Sequence, residues 1–208
     1  MFHISGIVLD RATLDNFYRD ESTLITLTAI SLANRQICTI DSTAFEGLNK
    51  VQSINFSINY IEELPYYLFK STTALLSLDF SFNRLENLTD SSLFSALTFL
   101  EYLAFTNNSL GLLDSNIFSG LTNLKILNLN LNVPLQTLPA NIFNGLTSLT
   151  SLDLCYNNLT NLDSNVFSGL TSLISVKLCG NPIASSNPYY IKSLCSNVGL
   201  NCTVDINC

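Results

Sequence analysis

From residue 27 onward the apolar positions fall into a repeating frame, L-x-x-L-x-L-x-x-N-x-L. It starts at Leu27, Val51, Leu75, Leu100, Leu124, Leu149 and Leu173, at intervals of 24, 24, 25, 24, 25 and 24 residues. Two further columns keep the register: Phe45, Phe69, Phe94, Phe118, Phe143 and Phe167, and Asn59, Asn83, Asn108, Asn132, Asn157 and Asn181. Alternating leucines predict a short strand with one apolar face, because side-chain direction along a strand has a period of two. The asparagine falls where the chain must bend, and its amide can both donate to and accept from backbone groups of adjacent turns. The phenylalanine belongs to the return path. No single turn could bury its own apolar face, so the period itself predicts stacked coils.

The frame, continued as N-x-L-x-x-L-x-x-x-x-F-x-x-L in the later turns, resembles the leucine-rich repeat family. The resemblance is to the 24-residue type with Phe on the convex side, as in Toll-like receptor ectodomains, variable lymphocyte receptors and small leucine-rich proteoglycans. The phrases T-N-L, T-S-L and D-S-N-x-F-S-G-L are especially similar to variable lymphocyte receptors. The resemblance implies an α/β solenoid: a horseshoe with a concave parallel β-sheet, an irregular or short-helical convex side, and a C-terminal cap containing cysteines. Three segments follow: a degenerate or truncated flank over 1–26, repeats over 27–180, and the cap over 181–208. Arg35 stands where the first asparagine belongs, so that turn is expected to be irregular or shifted onto Asn34. The 25-residue turns carry an extra residue near Ser91 and Ser92 and at Val133 and Pro134, which should bulge outside the sheet.

Both ends of a solenoid need covering. Asn187-Pro188 reads as a helix start, with Asn as N-cap and Pro at the first position, and Gly199 as a stop. Residues 1–26 contain no cysteine, and the apolar stretch Ile4–Leu9 is interrupted and shorter than that of a secretory signal. They read either as a degenerate first coil or as what remains of a truncated flank.

Five of the six cysteines, Cys155, Cys179, Cys195, Cys202 and Cys208, fall between residues 155 and 208. Cys155 and Cys179 occupy position 7 of adjacent turns, about 4.8 Å apart in a stacked sheet and within bridging range. Three readings stand: a bridge between them, two small fillers replacing the serine common there, or pairing of Cys179 with a cap cysteine. Cys38 is isolated and reads as a free thiol. Their clustering favours an oxidising compartment. Sequons occur at Asn55, Asn87, Asn107, Asn158 and Asn201. The chain's 25 asparagines, 25 serines and 18 threonines would yield about five by chance. They are compatible with secretion and add no weight to it.

Charged residues make up only 12%, about half the roughly 25% of an ordinary soluble domain. The net charge of −7, from nine scattered bases against sixteen acids, disfavours nucleic-acid binding. No apolar run reaches the roughly 18 residues of a membrane span. The single histidine, His3, lies outside the repeats, so the solenoid cannot assemble a Ser/His/Asp or Cys/His set. No cysteine or histidine spacing suits a metal, the F-x-G-L glycines follow the period without forming a phosphate loop, and no cofactor is expected. Asp79 and Asp153 lie three turns apart, too far for a carboxylate pair. An enzyme is not expected.

Positions 2, 3, 5, 7 and 8 of each turn point away from the buried leucines and pave the concave face. The middle rungs offer Phe82, Tyr102, Ile126, Leu131 and Tyr156, flanked by Asp79, Glu101, Lys125, Asn128, Asp153 and Lys177. Aromatic anchors rimmed by charge suit protein recognition. Phe82 and Tyr156, at position 8, can equally be structural covers of the strand edge; Tyr102 and Ile126 stand out because position 3 otherwise carries small residues. The resemblance implies a non-catalytic extracellular module binding a protein or glycoconjugate ligand, in recognition, adhesion or innate-type immunity. The alternative is an intracellular scaffold of the same architecture with reduced thiols.

Overall fold

A computed structural model of the chain describes residues 6–18, 21–197 and 203–206. Seven three-residue strands repeat once per coil: β2 (Ala29–Ser31), β4 (Ser53–Asn55), β5 (Ser77–Asp79), β7 (Tyr102–Ala104), β9 (Ile126–Asn128), β10 (Ser151–Asp153) and β11 (Ser175–Lys177). An eighth, β12 (Thr203–Asp205), joins beside β11. They form one sheet in the order β12-β11-β10-β9-β7-β5-β4-β2, every pair parallel, with each residue opposite its equivalent in the next coil. The 24- and 25-residue turns therefore enter the sheet in one register, and the extra residues fall outside it. Val133 and Pro134 are exposed, and Ser91 and Ser92 lie in a turn.

The interior is a set of columns. Ile30, Ile54, Leu78, Leu103, Leu127, Leu152 and Val176 at position 4 are buried, and so are all six return-path phenylalanines. Rings of Phe45, Phe69 and Phe94 stack at 6.4 and 6.1 Å, and Phe118 stacks on Phe143 at 6.4 Å. A second aromatic column, hidden in the sequence behind a leucine position, runs through position 6: Phe56, Phe80 and Phe105 stack at 4.8 and 5.6 Å. Edge contacts of 5.7 Å (Phe45 to Phe56) and 6.1 Å (Phe69 to Phe80) lock the two columns together.

The asparagine column supplies the polar half of the core. Asn132 is representative. Its Nδ2 donates to the Phe105 and Leu129 carbonyls, both at 3.0 Å, while its Oδ1 accepts the Leu110 N–H at 3.1 Å. Asn83, Asn108 and Asn181 repeat this clamp one coil at a time. Asn157 makes the same two donations while its Oδ1 accepts the Asn132 N–H at 2.6 Å, the equivalent of Leu110 there being Pro134, which has no N–H. Each buried amide satisfies carbonyls that the bend takes out of the sheet, and an unsatisfied buried group of this kind costs about 1–3 kcal/mol.

The first turn is irregular, and the irregularity falls at Gln36, two residues beyond Asn34. Asn34 sits at position 8 with φ 56° and donates its N–H to the Ser57 carbonyl, as the position-8 residues of the next five coils do to theirs. The additional left-handed residue is Gln36 (φ 59°). Asn59 of the next coil covers the gap by accepting the Arg35 and Ile37 N–H groups, both at 3.0 Å. Arg35 itself lies over the Phe17 ring, 5.0 Å from its centroid.

At the N-terminal side, β1 (Ile7–Leu9) runs parallel to β3 (Ile37–Ile40) on a second, narrow ledge. A similar two-strand pairing joins β6 (Asn87–Leu88) to β8 (Leu112–Leu113). Helices α1 (Arg11–Tyr18) and α2 (Glu21–Leu24) then lead to β2, burying Leu9, Leu14 and Leu24. The Tyr18 hydroxyl accepts the Ser31 N–H at 2.6 Å and donates to the Ser31 carbonyl at 3.1 Å, closing the outer edge of β2 without a disulfide. At the other end come α3 (Pro182–Ser186) and α4 (Pro188–Asn197). Asn187 Oδ1 accepts the Tyr190 N–H at 3.2 Å, the capping bond expected of an Asn-Pro helix start. Asn181 precedes α3 without capping it, because its amide already belongs to the asparagine column. His3, Gly199, Asn201, Cys202 and Cys208 lie outside the described residues, as does the side chain of Cys195 in α4.

Candidate functional site

The concave sheet brings the sequence-predicted residues into rows, because equivalent positions of successive strands stand directly opposite one another. Position 2 places Glu101 beside Lys125, whose ammonium lies 2.8 Å from the Glu101 carboxylate, both about half exposed. Position 3 places Tyr102 opposite Ile126. Position 5 runs Asp79, Ala104, Asn128, Asp153, Lys177 and, from the eighth strand, Asp205. Lys177 lies 3.7 Å from Asp153. Asp205 was not legible beforehand, since β12 breaks the repeat.

The acids at position 5 also serve the fold. Asp79 Oδ1 accepts the Ser81 N–H at 2.8 Å and Asp153 Oδ1 the Cys155 N–H at 3.0 Å, the bond that Asn55 makes to Ser57 at 2.8 Å. These Asx turns carry the chain from strand into bend. Each leaves its second carboxylate oxygen outside that bond. Ala104 is fully buried although its position belongs to the concave row. The Tyr102 hydroxyl reaches across from β7 to within 3.5 Å of Asn128 Nδ2 on β9, so the ring runs diagonally over this stretch of the row. Burial, and secondarily the Asp79 carboxylate, push the Tyr102 phenol above its ordinary pKa. It is a neutral hydroxyl at physiological pH.

Position 8 is the largest surprise. Asn34, Ile58, Phe82, Asn107, Leu131 and Tyr156 all have φ between 55° and 59°, and Gly180 has 71°. This region suits Gly and Asn and is disfavoured for bulky or β-branched residues. Ile58, Phe82, Leu131 and Tyr156 are nevertheless 37–55% exposed there, two apolar pairs along one margin of the face with the exposed Asn107 between them. Tyr156 is partly structural, since its ring occupies the space a Cβ on Gly180 would need. Ile126, 37% exposed, lies free of that margin in mid-sheet.

Position 7 departs from the expected display. Ser81, Cys155 and Cys179 are buried, turned into the bend. Cys155 and Cys179 are joined by a disulfide with a Cα–Cα separation of 4.7 Å, which decides among the three readings left open by spacing. Cys38 is free, its thiol donating to the Ile7 carbonyl at 3.5 Å. Of the sequon asparagines, Asn87 and Asn107 are exposed and Asn55 and Asn158 half-buried. Among the described residues no three His, Cys, Asp or Glu side chains gather as a metal site, and no helix is long and apolar enough to cross a membrane.

The family model described as Leucine rich repeat matches residues 25–85 and 122–183, more than half of the chain. The protein belongs to the leucine-rich repeat family. No curated protein sequence matches it. Among solved structures, the chain is similar to the crystal structure of the TLR13–ssRNA13 complex, with a TM-score of 0.74 and 25% identity. That match covers 87% of this chain and 28% of that one. The APL1 leucine-rich repeat domain matches with a TM-score of 0.64 and 23% identity over 87% of this chain and 55% of that one, a likeness of fold. The leucine-rich repeat chain described here thus spans well under two thirds of either neighbour. The TLR13 neighbour was solved with single-stranded RNA, so the charge-based exclusion of nucleic acid has to rest on this chain's own surface. There, Lys125 and Lys177, the concave cations among the described residues, are each in an ion pair.

Proposed function

We propose that this leucine-rich repeat chain is a non-catalytic recognition module of an extracellular, receptor-type protein, binding a protein or glycoconjugate on its concave face in a role of recognition, adhesion or innate-type immunity. The observation that carries this reading is the display of Phe82, Tyr102, Ile126 and Leu131 along one continuous parallel sheet whose same strands carry Asp79, Glu101, Lys125, Asn128 and Asp153. Anchors of this kind, held by a scaffold that does not need to reorganise, are what a binding surface requires. The Cys155–Cys179 disulfide supports an oxidising compartment, and a glycan on the exposed Asn87, in β6 and outside the concave sheet, would accompany it. The neighbours' receptor-type folds support the same setting. RNA is disfavoured here because the two concave lysines are already neutralised.

Two measurements test this. In denatured, unreduced material from the native source, Cys38 should alkylate directly and Cys155 and Cys179 only after reduction; alkylation of both without reduction would instead favour the intracellular scaffold. A random peptide library displayed on phage, panned against the oxidised protein, should return binders that Tyr102→Ala with Ile126→Ala weakens by more than about 1 kcal/mol at nearly unchanged thermal stability. Binders indifferent to that pair would move the site to the convex side or the loops. A single-stranded RNA oligonucleotide titrated at about 0.15 M salt should show no saturable binding.

A further inference from the structure

Among the described residues, the concave face carries four carboxylates, Asp79, Glu101, Asp153 and Asp205, against the ammonium groups of Lys125 and Lys177. Both lysines are engaged: Lys125 with Glu101, and Lys177 with Asp153 and opposite Asp205 in the sheet register. Asp79 is the concave carboxylate with no ion-pair partner among the described residues. It is half-buried, near the middle of the face, with Oδ1 fixed by the Ser81 N–H. Beside it the row drops to Ala104, and the Tyr102 ring and the Asn128 amide form the far wall. Phe82 on the same coil, and Ile126 and Leu131 two coils on, add exposed apolar surface.

We propose that the partner is a polypeptide that inserts a lysine or arginine side chain between Asp79 and Tyr102, with apolar residues on either side of it resting on Phe82, Ile126 and Leu131. This rests on the concave-face reading above and narrows it. A cation here gains a carboxylate whose second oxygen lies outside the turn bond, together with the face of an aromatic ring. The molecule already uses the same contact internally, with the Arg84 guanidinium 4.6 Å from the Tyr60 centroid and Arg35 over Phe17. Burial first, and the Asp79 carboxylate second, hold the Tyr102 phenol above its ordinary pKa, so it stands beside the carboxylate as a neutral ring. Phosphate, sulfated glycan and RNA would instead meet an unneutralised carboxylate in a half-buried setting, which like-charge repulsion penalises.

Asp79→Asn isolates the charge, because Asn55 shows that an asparagine at position 5 makes the same turn bond. Binders selected from the random displayed-peptide library should carry a Lys or Arg flanked by aliphatic or aromatic residues. They should lose about tenfold in affinity on Asp79→Asn at unchanged melting temperature. Binders that lack a basic residue, or that Asp79→Asn leaves untouched while Tyr102→Ala with Ile126→Ala abolishes them, would overturn this inference and leave the concave-face reading standing. Binders insensitive to all three substitutions, or a library that yields none dependent on this face, would count against both.

Discussion

Position 8 shows at the level of single residues how a repeat can hold side chains against their backbone preference. The bend after each strand requires a left-handed residue, and the same N–H bonds to the next coil at Asn34, Ile58, Phe82, Asn107, Leu131 and Tyr156 hold it there regardless of side chain. An asparagine tolerates that conformation through its short polar side chain, whereas isoleucine is strained by roughly 1–2 kcal/mol. Ile58 is 55% exposed, so burial returns little of that cost. Ile58→Asn should therefore raise stability by about 0.5–1 kcal/mol, read from chemical denaturation. A loss of stability would mean that Ile58 packs as part of the fold. The place of these residues on the concave margin is legible in the repeat, but their backbone state is not, because Ile, Phe, Leu and Tyr are not residues from which a left-handed turn is inferred. Asp79 and Asp153 likewise look like display groups in the sequence, whereas one oxygen of each belongs to an Asx turn.

What was legible at the level of elements was what recurred. The leucine, phenylalanine and asparagine columns each repeat every 24 or 25 residues, and each turned out to be one physical column of the core. What did not recur stayed hidden: the Tyr18 hydroxyl closing the edge of β2, the ledge strand β1, and helix α3. The second aromatic column was hidden differently, since Phe56, Phe80 and Phe105 satisfy a position where any large apolar residue fits the frame. The two columns assign each ring a definite share of the stacking. Phe118 is fully buried and stacks on Phe143, with position 6 of the adjacent coil occupied by Leu129 and not a ring. Phe118→Ala should cost about 3–5 kcal/mol, measured as a fall in denaturation free energy. An equally stable variant would contradict the assignment of Phe118 to the packed return path.

Along the whole solenoid, the two halves are held by different means. From Phe45 to Phe105 the coils share two interlocked aromatic columns; beyond Phe105, position 6 reverts to Leu129, Leu154 and Leu178. There the Cys155–Cys179 bridge ties adjacent coils covalently. Closing a loop of 24 residues restrains the unfolded chain by roughly 3 kcal/mol in the chain-entropy account. In a stack whose coils touch only their neighbours, that restraint is local. Replacing both cysteines by serine, the residue already buried at this position as Ser81, removes the bridge with little change in packing. Hydrogen exchange should then show the strands at Ser151–Asp153 and Ser175–Lys177 losing protection by about two orders of magnitude, while Ser53–Asn55 and Ser77–Asp79 keep theirs. Equal loss across the sheet would mean that the coils unfold as one unit. No loss anywhere would mean that the C-terminal coils need no bridge to remain in register.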